Sequence, residues 1–417
     1  MSDRTDTPTS TQTPDQEGVA TTATPTPKGR VLLGMSGGVD SSVTAWLLKE
    51  QGWDVVGVTM KVWPQDCISR AEDKCCGPQA VADARGVAHS LGIPHYVIDE
   101  ADQFEKLVID YFTAEYRQGR TPNPCVMCNE KLKFGSLQEK ALALGAEYVA
   151  TGHYARIIHG DNGIARLMKA VDTRKDQSYF LFSLRQEQLG RALAPIGHLT
   201  KPEVREIARK LGLRVSEKVD SQEICFVPGN DYKAFLRSHL GENDFHPGGI
   251  YDKSGAYLGP HQGIEFYTVG QRKGLGGGHG RPIYVIDIDA VNQRVIVGEY
   301  NDLERRDCFI NHTNWIAGEP EGPIEATAKI RYNWPEVPVR LHPLPNRRAR
   351  IEFLEPQRSV SPGQAAVVYQ GDTVVGGGWL ERTEPVVPVT VAAPDMQALA
   401  SPTTTSAPST STVLSVS

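Results

Sequence analysis

The sequence predicts an α/β protein: an N-terminal doubly wound parallel sheet, a small central domain and a C-terminal all-β unit, a barrel or sandwich. Three observations predict it. Between residues 30 and 152, short and nearly all-apolar runs alternate with helical periodicity, as strands do when crossover helices cover both faces of a sheet. A loop rich in glycine and serine, "GMSGGVDSS" at 34–42, joins the first run to the first helix. From 283 onward the pattern becomes one of alternating strands divided by turn residues.

The elements follow in order. "RVLLGM" is the first strand, and "DSSVTAWLLKEQG" the first helix, with Val43, Trp46 and Leu47 at helical spacing and Gly52 as its stop. "DVVGVTM" (54–60) is the second strand; Pro78 opens and Gly92 closes the next helix. "HYVID" (95–99) is the third strand, followed by helices ending at Gly119 and, for "NEKLKFGSLQEKALALG", at Gly145. "EYVATG" (147–152) is the fourth strand. Thr200 and Glu203 form a capping box on "TKPEVREIARKLG", whose Val204, Ile207 and Leu211 share a face. After about 220 the helical signal fades. "IYVIDID", "QRVIVG", "ATAKIRY", "RARIEFLE" and "QAAVVYQGDTVVGGGWLE" are the C-terminal strands.

The expected division is a disordered tail over 1–28, a nucleotide-binding catalytic domain over 29–219, a central domain over 220–290, the β unit over 291–384 and a second disordered tail over 385–417. Both tails are low-complexity and rich in Thr, Pro and Ser. No apolar run approaches the roughly 20 residues that span a bilayer, and the N-terminus has no basic start before an apolar segment. A cytoplasmic protein without membrane partners is expected. The net charge of −6 gives no global push toward nucleic acid, so no DNA partner is expected and any RNA contact must be local. Seven cysteines in 417 residues are too sparse for a disulfide scaffold.

The 34–42 loop is the strongest motif. Gly37 and Gly38 allow a sharp turn that brings backbone N–H groups close to an anion. Ser36, Ser41 and Ser42 add hydroxyls, and the helix beginning near Asp40 contributes about half a positive charge. These features suit a phosphate or pyrophosphate. No Gly-Lys-Ser/Thr follows, so it is not a Walker loop. The other reading is a glycine turn with no ligand. Met60 ends the second strand, and Gly152 and His153 end the fourth, at the edge where such sheets bind ligands. Met60 also fits a core, and His153 an ordinary loop.

Cys125 and Cys128 stand in "TPNPCVMCNEKLKF", Cys225 in "DSQEICFVPG". Cys67, Cys75 and Cys76 have no clear chemical context, though "EDKCCGPQ" could join Cys125 and Cys128 at a metal; Cys308 fits packing. The 34–42 loop resembles the Ser-Gly-Gly-x-Asp-Ser signature of the PP-loop ATP pyrophosphatases, which implies an adenylated substrate; an enzyme that adenylates a carbonyl oxygen needs a nucleophile to displace AMP, and a sulfur held beside the activated carbon serves. A second cysteine can free the product by disulfide exchange. Cys128, expected at a helix start, and the distant Cys225 make a working pair; a buried cysteine is the bland reading of Cys225.

In order, "GMSGGVDSS", "GRTPNPCVMCN", "ATGHYA", "KDQSYFL", "DSQEICF", "GQRKGLG", "KIRYNWP" and "SPGQAAV" resemble the tRNA-specific 2-thiouridylase family of PP-loop ATP pyrophosphatases, over about residues 30 to 383. The resemblance implies an adenine nucleotide α-hydrolase-like fold and a C-terminal β-barrel. It implies an ATP site, with Mg²⁺ expected, at Gly34, Met35, Ser36, Gly37, Gly38, Val39, Asp40, Ser41, Met60 and Gly152. It implies a tRNA substrate whose wobble uridine, at position 34 of tRNAs for Lys, Glu and Gln, is adenylated at its 2-carbonyl and thiolated, releasing AMP and pyrophosphate. Cys225 would carry the persulfide, delivered by a sulfur-relay protein or cysteine desulfurase, and Cys128 would be the nucleophile, the two joined transiently as a disulfide. Asn123, Pro124 and Cys125 would line the target base; His153, Lys175, Asp176, Gln177, Arg331, Tyr332 and Gln364 would touch tRNA. Cys125 stands where some relatives have Asp, and Cys125, Cys128 and Cys225 could alternatively hold an iron–sulfur cluster.

Residues 329–350 carry Lys329, Arg331, Arg340, Arg347, Arg348 and Arg350 against Glu336, with Tyr332 and Trp334 interleaved. They form either an RNA-binding strip or a solvated strand face over core aromatics. "LGGGHGR" (275–281) is a flexible segment near the pocket or a linker. Two competing readings are another ATP-dependent transfer that needs no cysteine, and a non-catalytic RNA-binding protein with a thiolate metal site.

Overall fold

The computed structural model describes residues 28–62, 77–218, 224–276 and 280–382. Most of both expected tails, together with Cys67, Cys75, Cys76 and the middle of 275–281, lie outside the described residues.

Five strands form a wholly parallel sheet in the order β3-β2-β1-β4-β7: β1 (Arg30–Gly34), β2 (Asp54–Lys61), β3 (His95–Asp99), β4 (Tyr148–Ala150) and β7 (Ala192–Leu193). β1 to β3 progress outward on one side of β1, and β4 lies on its other side. That reversal leaves a crevice beyond the carboxyl ends of β1 and β4, the place where open sheets take ligands. Leu32, Val56, Val58 and Val149 pack one face; Val31, Leu33 and Val55 pack the other under α1 (Val39–Glu50) and α2 (Pro78–Leu91). The expected third strand, β3, is the edge of the sheet, with Tyr96 55% exposed.

Gly52 and Gly92 take positive φ, +85° and +64°, just past their helices, as expected of C-terminal stops. α3 covers 101–117 with a π-wound segment at Glu105–Ile109. α4 covers 124–143 and starts earlier than the expected Asn129: Pro124 occupies its first turn, and the Asn123 side chain accepts from Val126 N at 3.4 Å. The Thr200–Glu203 capping box opens α5 (Lys201–Lys210), with Thr200 N donating to Glu203 Oε2 at 2.7 Å.

Several elements escaped the sequence reading. α6 (Tyr232–Leu240) lies beyond 220, where no helix is expected; its signal is Asp231, whose carboxylate caps Ala234 N at 3.0 Å. The hairpin of β5 (Ala155–His159) and β6 (Ala165–Lys169) leaves the N-terminal domain to touch β17 (Thr373–Leu380) of the C-terminal unit. In the central region β8 (Gly248–Asp252) and β9 (Tyr257–His261) join β10 (Tyr284–Asp289) and β11 (Arg294–Gly298) in a four-stranded sheet. β10 and β11, read as part of the C-terminal strand series, therefore pair within this sheet.

The C-terminal unit is a closed barrel of six antiparallel strands, of which β12 (Glu304–Trp315) and β14 (Val337–Leu344) were not expected. β13 (Ile324–Lys329), β15 (Arg348–Arg358), β16 (Ala365–Gln370) and β17 complete it, and β12 closes onto β17. Its interior holds Cys308, Ile310, Val339, Leu341, Ile351 and Val368. Cys308 is a packing residue, and burial pushes its thiol up. One core cluster runs from Leu32 and Val149 through Tyr179 to Ala365 and Val367, so barrel and parallel sheet share an interior. Among the described residues no helix is long and apolar enough to cross a membrane.

Candidate active site at the phosphate loop

The loop from Gly34 to Gly38 turns where β1 ends, and Gly38 is the N-cap of α1. Gly37 has φ +66°, and a Cβ there would lie 2.2 Å from Ala80 O of α2. Only glycine lets this turn pack against that helix. Gly152, at the end of β4, approaches the first turn of α1 so closely that a Cβ would sit 2.8 Å from Ser41 N. The N-terminus of α1 thus faces the crevice, with its backbone N–H groups and the positive end of its dipole.

The predicted loop residues divide into two groups. Ser36 is exposed, and Gly38 and Asp40 are half-buried at the crevice. Met35 and Val39 are buried in the core, so they can offer only backbone groups to a ligand. Ser41 Oγ accepts from Ser36 N at 3.3 Å and bonds Gly38 O. Ser42, buried, donates to Gly38 O at 2.8 Å. Its hydroxyl braces the helix start, which corrects the expectation that it adds a donor to the anion site.

The sequence reading missed the residues that clamp this loop. Lys201 Nζ donates to both carboxylate oxygens of Asp40, at 2.7 and 2.9 Å, and Tyr154 OH donates to Asp40 Oδ1 at 2.8 Å. Lys218 Nζ bridges Gly37 O at 3.1 Å and Asp83 of α2 at 2.7 Å. Lys201 directly follows the N-cap residue of a capping box and Tyr154 stands in "ATGHYA", but nothing local says that either reaches residue 40.

Beyond the loop lie the cysteines. Cys125 and Cys128, three apart on α4, share a helix face. The longer helix puts Cys125, not Cys128, in its first turn, so the expectation that Cys128 sits at the helix start is corrected. Cys128 and Cys225 both pack at the margin of one cluster, with Met60 from the end of β2. Phe226 anchors the Cys225 turn edge-on to Phe104 and Phe112. No disulfide joins the described cysteines, so the implied Cys128–Cys225 bond is not formed here. Among the described residues the trio of His, Cys, Asp or Glu ligand atoms within 4.8 Å of one another is Glu105, Asp110 and His239. Cys125, Cys128 and Cys225 are not gathered as a single-ion site, and the iron–sulfur alternative finds no support.

Asn123 and Pro124 are buried, and Cys125 is half-buried. Tyr332 stacks at a tilt on Phe180, with ring centroids 4.3 Å apart, and Lys329 Nζ lies 5.7 Å from its ring. Its phenol is pushed up by burial, with Asp176 and Cys125 adding. Apart from Lys175, the remaining residues expected to touch tRNA are engaged within the protein. His153 is buried, 2.7 Å from Thr151 Oγ1, and burial with nearby Lys133 holds it well below the usual histidine range. Asp176 accepts from Ala170 N and Ser178, and Gln177 accepts from Tyr154 N at 2.9 Å. Arg331 donates to Ser359 O at 2.5 Å, to Ser361 Oγ and to Val269 O. Gln364 holds Thr121 O and Pro122 O at 3.1 and 3.0 Å. Lys175 lines an open cleft.

The 329–350 strip is not a bare basic face. Antiparallel pairing sets Arg340 directly opposite Glu325, and ion pairs join Arg350 to Asp307 and Arg348 to Glu381. Trp334 packs with the barrel interior.

Three family models match successive stretches of the chain: a tRNA methyl transferase HUP domain over 29–229, a tRNA methyl transferase PRC-barrel domain over 233–299 and an aminomethyltransferase beta-barrel domain over 305–380. The tRNA-specific 2-thiouridylase MnmA of Geotalea uraniireducens is 51% identical over 357 residues, 85% of this chain and 95% of that one. The MnmA protein of Moorella thermoacetica is 51% identical over 353 residues, 84% of this chain and 99% of that one. A solved 4-thiouridine synthetase–RNA complex with bound ATP is 19% identical with a TM-score of 0.31, covering 48% of this chain and 45% of that chain. Half of all aligned residues are shared over nearly the full length of these curated relatives, and the chain belongs to the tRNA-specific 2-thiouridylase MnmA family.

Proposed function

We propose that this chain is a tRNA uridine 2-sulfurtransferase that adenylates the 2-carbonyl of the wobble uridine, position 34 of tRNAs for Lys, Glu and Gln, and replaces that oxygen with sulfur. The reading is supported by a phosphate loop at the carboxyl edge of the parallel sheet and by two cysteines that share a core cluster with Met60, from the end of β2 at the same edge, in a chain of this family.

ATP lies with its phosphates on the loop N–H groups from Gly34 to Ser41, and its adenosine between Met60 and Gly152. Mg²⁺ bound with the triphosphate would neutralise its charge, and Asp40 would reach it by exchanging the contacts that Lys201 and Tyr154 make to its carboxylate. The uridine O2 attacks the α-phosphorus, and pyrophosphate leaves. The helix dipole and loop amides stabilise the charge that builds on the phosphates. The uridine is splayed out to arrive here, against Asn123, Pro124 and Cys125, with the Tyr332–Phe180 pair as a stacking face. Arg331, Asp176, Gln177, His153 and Gln364 act by holding the loops around it.

The terminal sulfur of a Cys225 persulfide then attacks C2, and AMP leaves with the former O2. The base and Cys225 are now joined through a disulfide. The Cys128 thiolate attacks Cys225 Sγ, releases 2-thiouridine and forms the Cys128–Cys225 disulfide. A thiol reductant supplies two electrons to restore both thiols, and a sulfur-relay protein or cysteine desulfurase reloads Cys225.

The test is a reconstitution with ATP, Mg²⁺, unmodified tRNA, a persulfide donor and a thiol reductant. AMP, pyrophosphate and 2-thiouridine should form in equal amounts. ADP in place of AMP would overturn the α-phosphate chemistry, and a Cys225→Ser protein that still thiolates would overturn the carrier role. Stoichiometric iron and sulfide in protein purified without oxygen would replace the persulfide route with a cluster.

A further inference from the structure

We propose that the open cleft between the 172–175 loop and α5 is a rail for the sugar–phosphate backbone of the substrate RNA, an inference that rests on the sulfurtransferase reading and gives the RNA a second contact beyond the base pocket. The cleft, about 610 Å³, is lined by Asp172, Arg174, Lys175, Lys201, Arg205 and Arg209. Lys201, Arg205 and Arg209 recur every four residues on α5, so they form one row about 12 Å long at 1.5 Å per residue. Arg174 stands on the opposite wall with its side chain 85% exposed. The carboxylate of Asp172 accepts from Arg174 N at 3.2 Å and Lys201 N at 3.0 Å, and its Oδ1 lies 3.8 Å from Arg174 Nε, a loose pair for so exposed a guanidinium. Arg209 pairs at 3.0 Å with Glu217, and both are exposed at 55% and 72%; such a pair is weak and exchanges readily for a phosphate.

Three features point to RNA. Guanidinium groups match phosphate oxygens two at a time, and Arg174 and Arg209 present exposed ones, while Arg205 between them is held by Ser216 O and Lys218 O and adds its charge to the row. The row is longer than one phosphate needs, and it concentrates positive charge in a chain of net charge −6. Its inner end is Lys201, whose ammonium rests on Asp40 of the phosphate loop. A strand laid along the row is therefore led to the place where its base must react. ATP itself is the competing source of phosphate, and the experiment separates the two.

Binding of unmodified tRNA to the full chain is measured across a salt series for the wild type, the double variant R174Q/R209Q and the control K210Q. Lys210 pairs with Glu206 and does not line the cleft. The double variant should bind more weakly at low salt and converge with wild type at high salt. Its log–log salt slope should be shallower by about 2, with an unchanged KM for ATP, while K210Q behaves as wild type. A double variant with the wild-type slope overturns the rail. A raised KM for ATP with unchanged RNA binding assigns the cleft to the nucleotide and overturns it equally. Failure of the wild type to bind tRNA would overturn the sulfurtransferase reading and the rail with it.

Discussion

The Lys201 ammonium holds both carboxylate oxygens of Asp40, at 2.7 and 2.9 Å, and so ties α5 to the first turn of α1. The pair is largely shielded, the side chains being 9% and 30% exposed. Lys201→Met removes the ammonium and leaves the Tyr154 hydroxyl donating to the carboxylate. Stability in urea should fall by about 2 kcal/mol and the KM for ATP should rise. Adding Asp40→Asn should recover stability without recovering ATP affinity; recovery of both would make the pair purely structural.

Gly152→Ala places a methyl 2.8 Å from Ser41 N and 2.9 Å from Asp40 C. The first turn of α1 must shift outward, because a backbone neighbour has no rotamer to change. Pyrophosphate release should fall at least tenfold, by a displacement of the sort that costs about 100-fold for 1 Å. Far-ultraviolet circular dichroism should stay unchanged. Full activity would show that the loop tolerates movement and that its amides do not set the phosphate position.

His153 makes stability depend on pH. Its unfolded form takes up a proton near pH 6.5, whereas burial keeps the folded form neutral well below that. Stability is therefore full above pH 6.5 and falls as the pH drops through it, by up to about 1.4 kcal/mol per pH unit. His95 and His261, also lowered by burial, add in the same direction. Asp176, raised by burial, works oppositely: it favours the fold at low pH and loses that contribution as pH rises through its folded value. Melting temperatures of wild type and His153→Gln between about pH 5 and 7.5 should give the variant the shallower slope; parallel slopes would remove His153 from the linkage.

Arg331 distinguishes structure from RNA contact. Its guanidinium reaches Ser359 O, Ser361 Oγ and Val269 O, and so fastens the barrel to the segment before β10. Arg331→Lys keeps the charge but loses the fork. Thermal stability should fall along with thiolation. Weaker tRNA binding at an unchanged melting temperature would instead make Arg331 a direct RNA contact.

The phosphate loop, its flanking strand and helix, and the glycine stops at Gly52 and Gly92 were legible in the sequence because each depends on neighbours a few residues away. Apolar runs buried on both faces, a Gly-Gly turn and a capping box are local signals with local physical causes. The ordered motifs further marked the family. Short strands such as β7, and barrel strands such as β14 with Pro338 and Pro343, were not legible, because distant partners stabilise them and their own residues argue against them.

Sequence thus determined which residues could bind phosphate and which cysteines could carry sulfur. Tertiary structure decided what those residues are able to face. It turned Ser42 inward, committed Arg331 and Gln364 to joining domains, set acids opposite the basic strip, and brought Lys201 across 161 positions to Asp40. The physical reason is that a charge or a hydrogen-bonding group takes its role from whatever the fold places within about 3 Å, and chain separation carries no information about that distance.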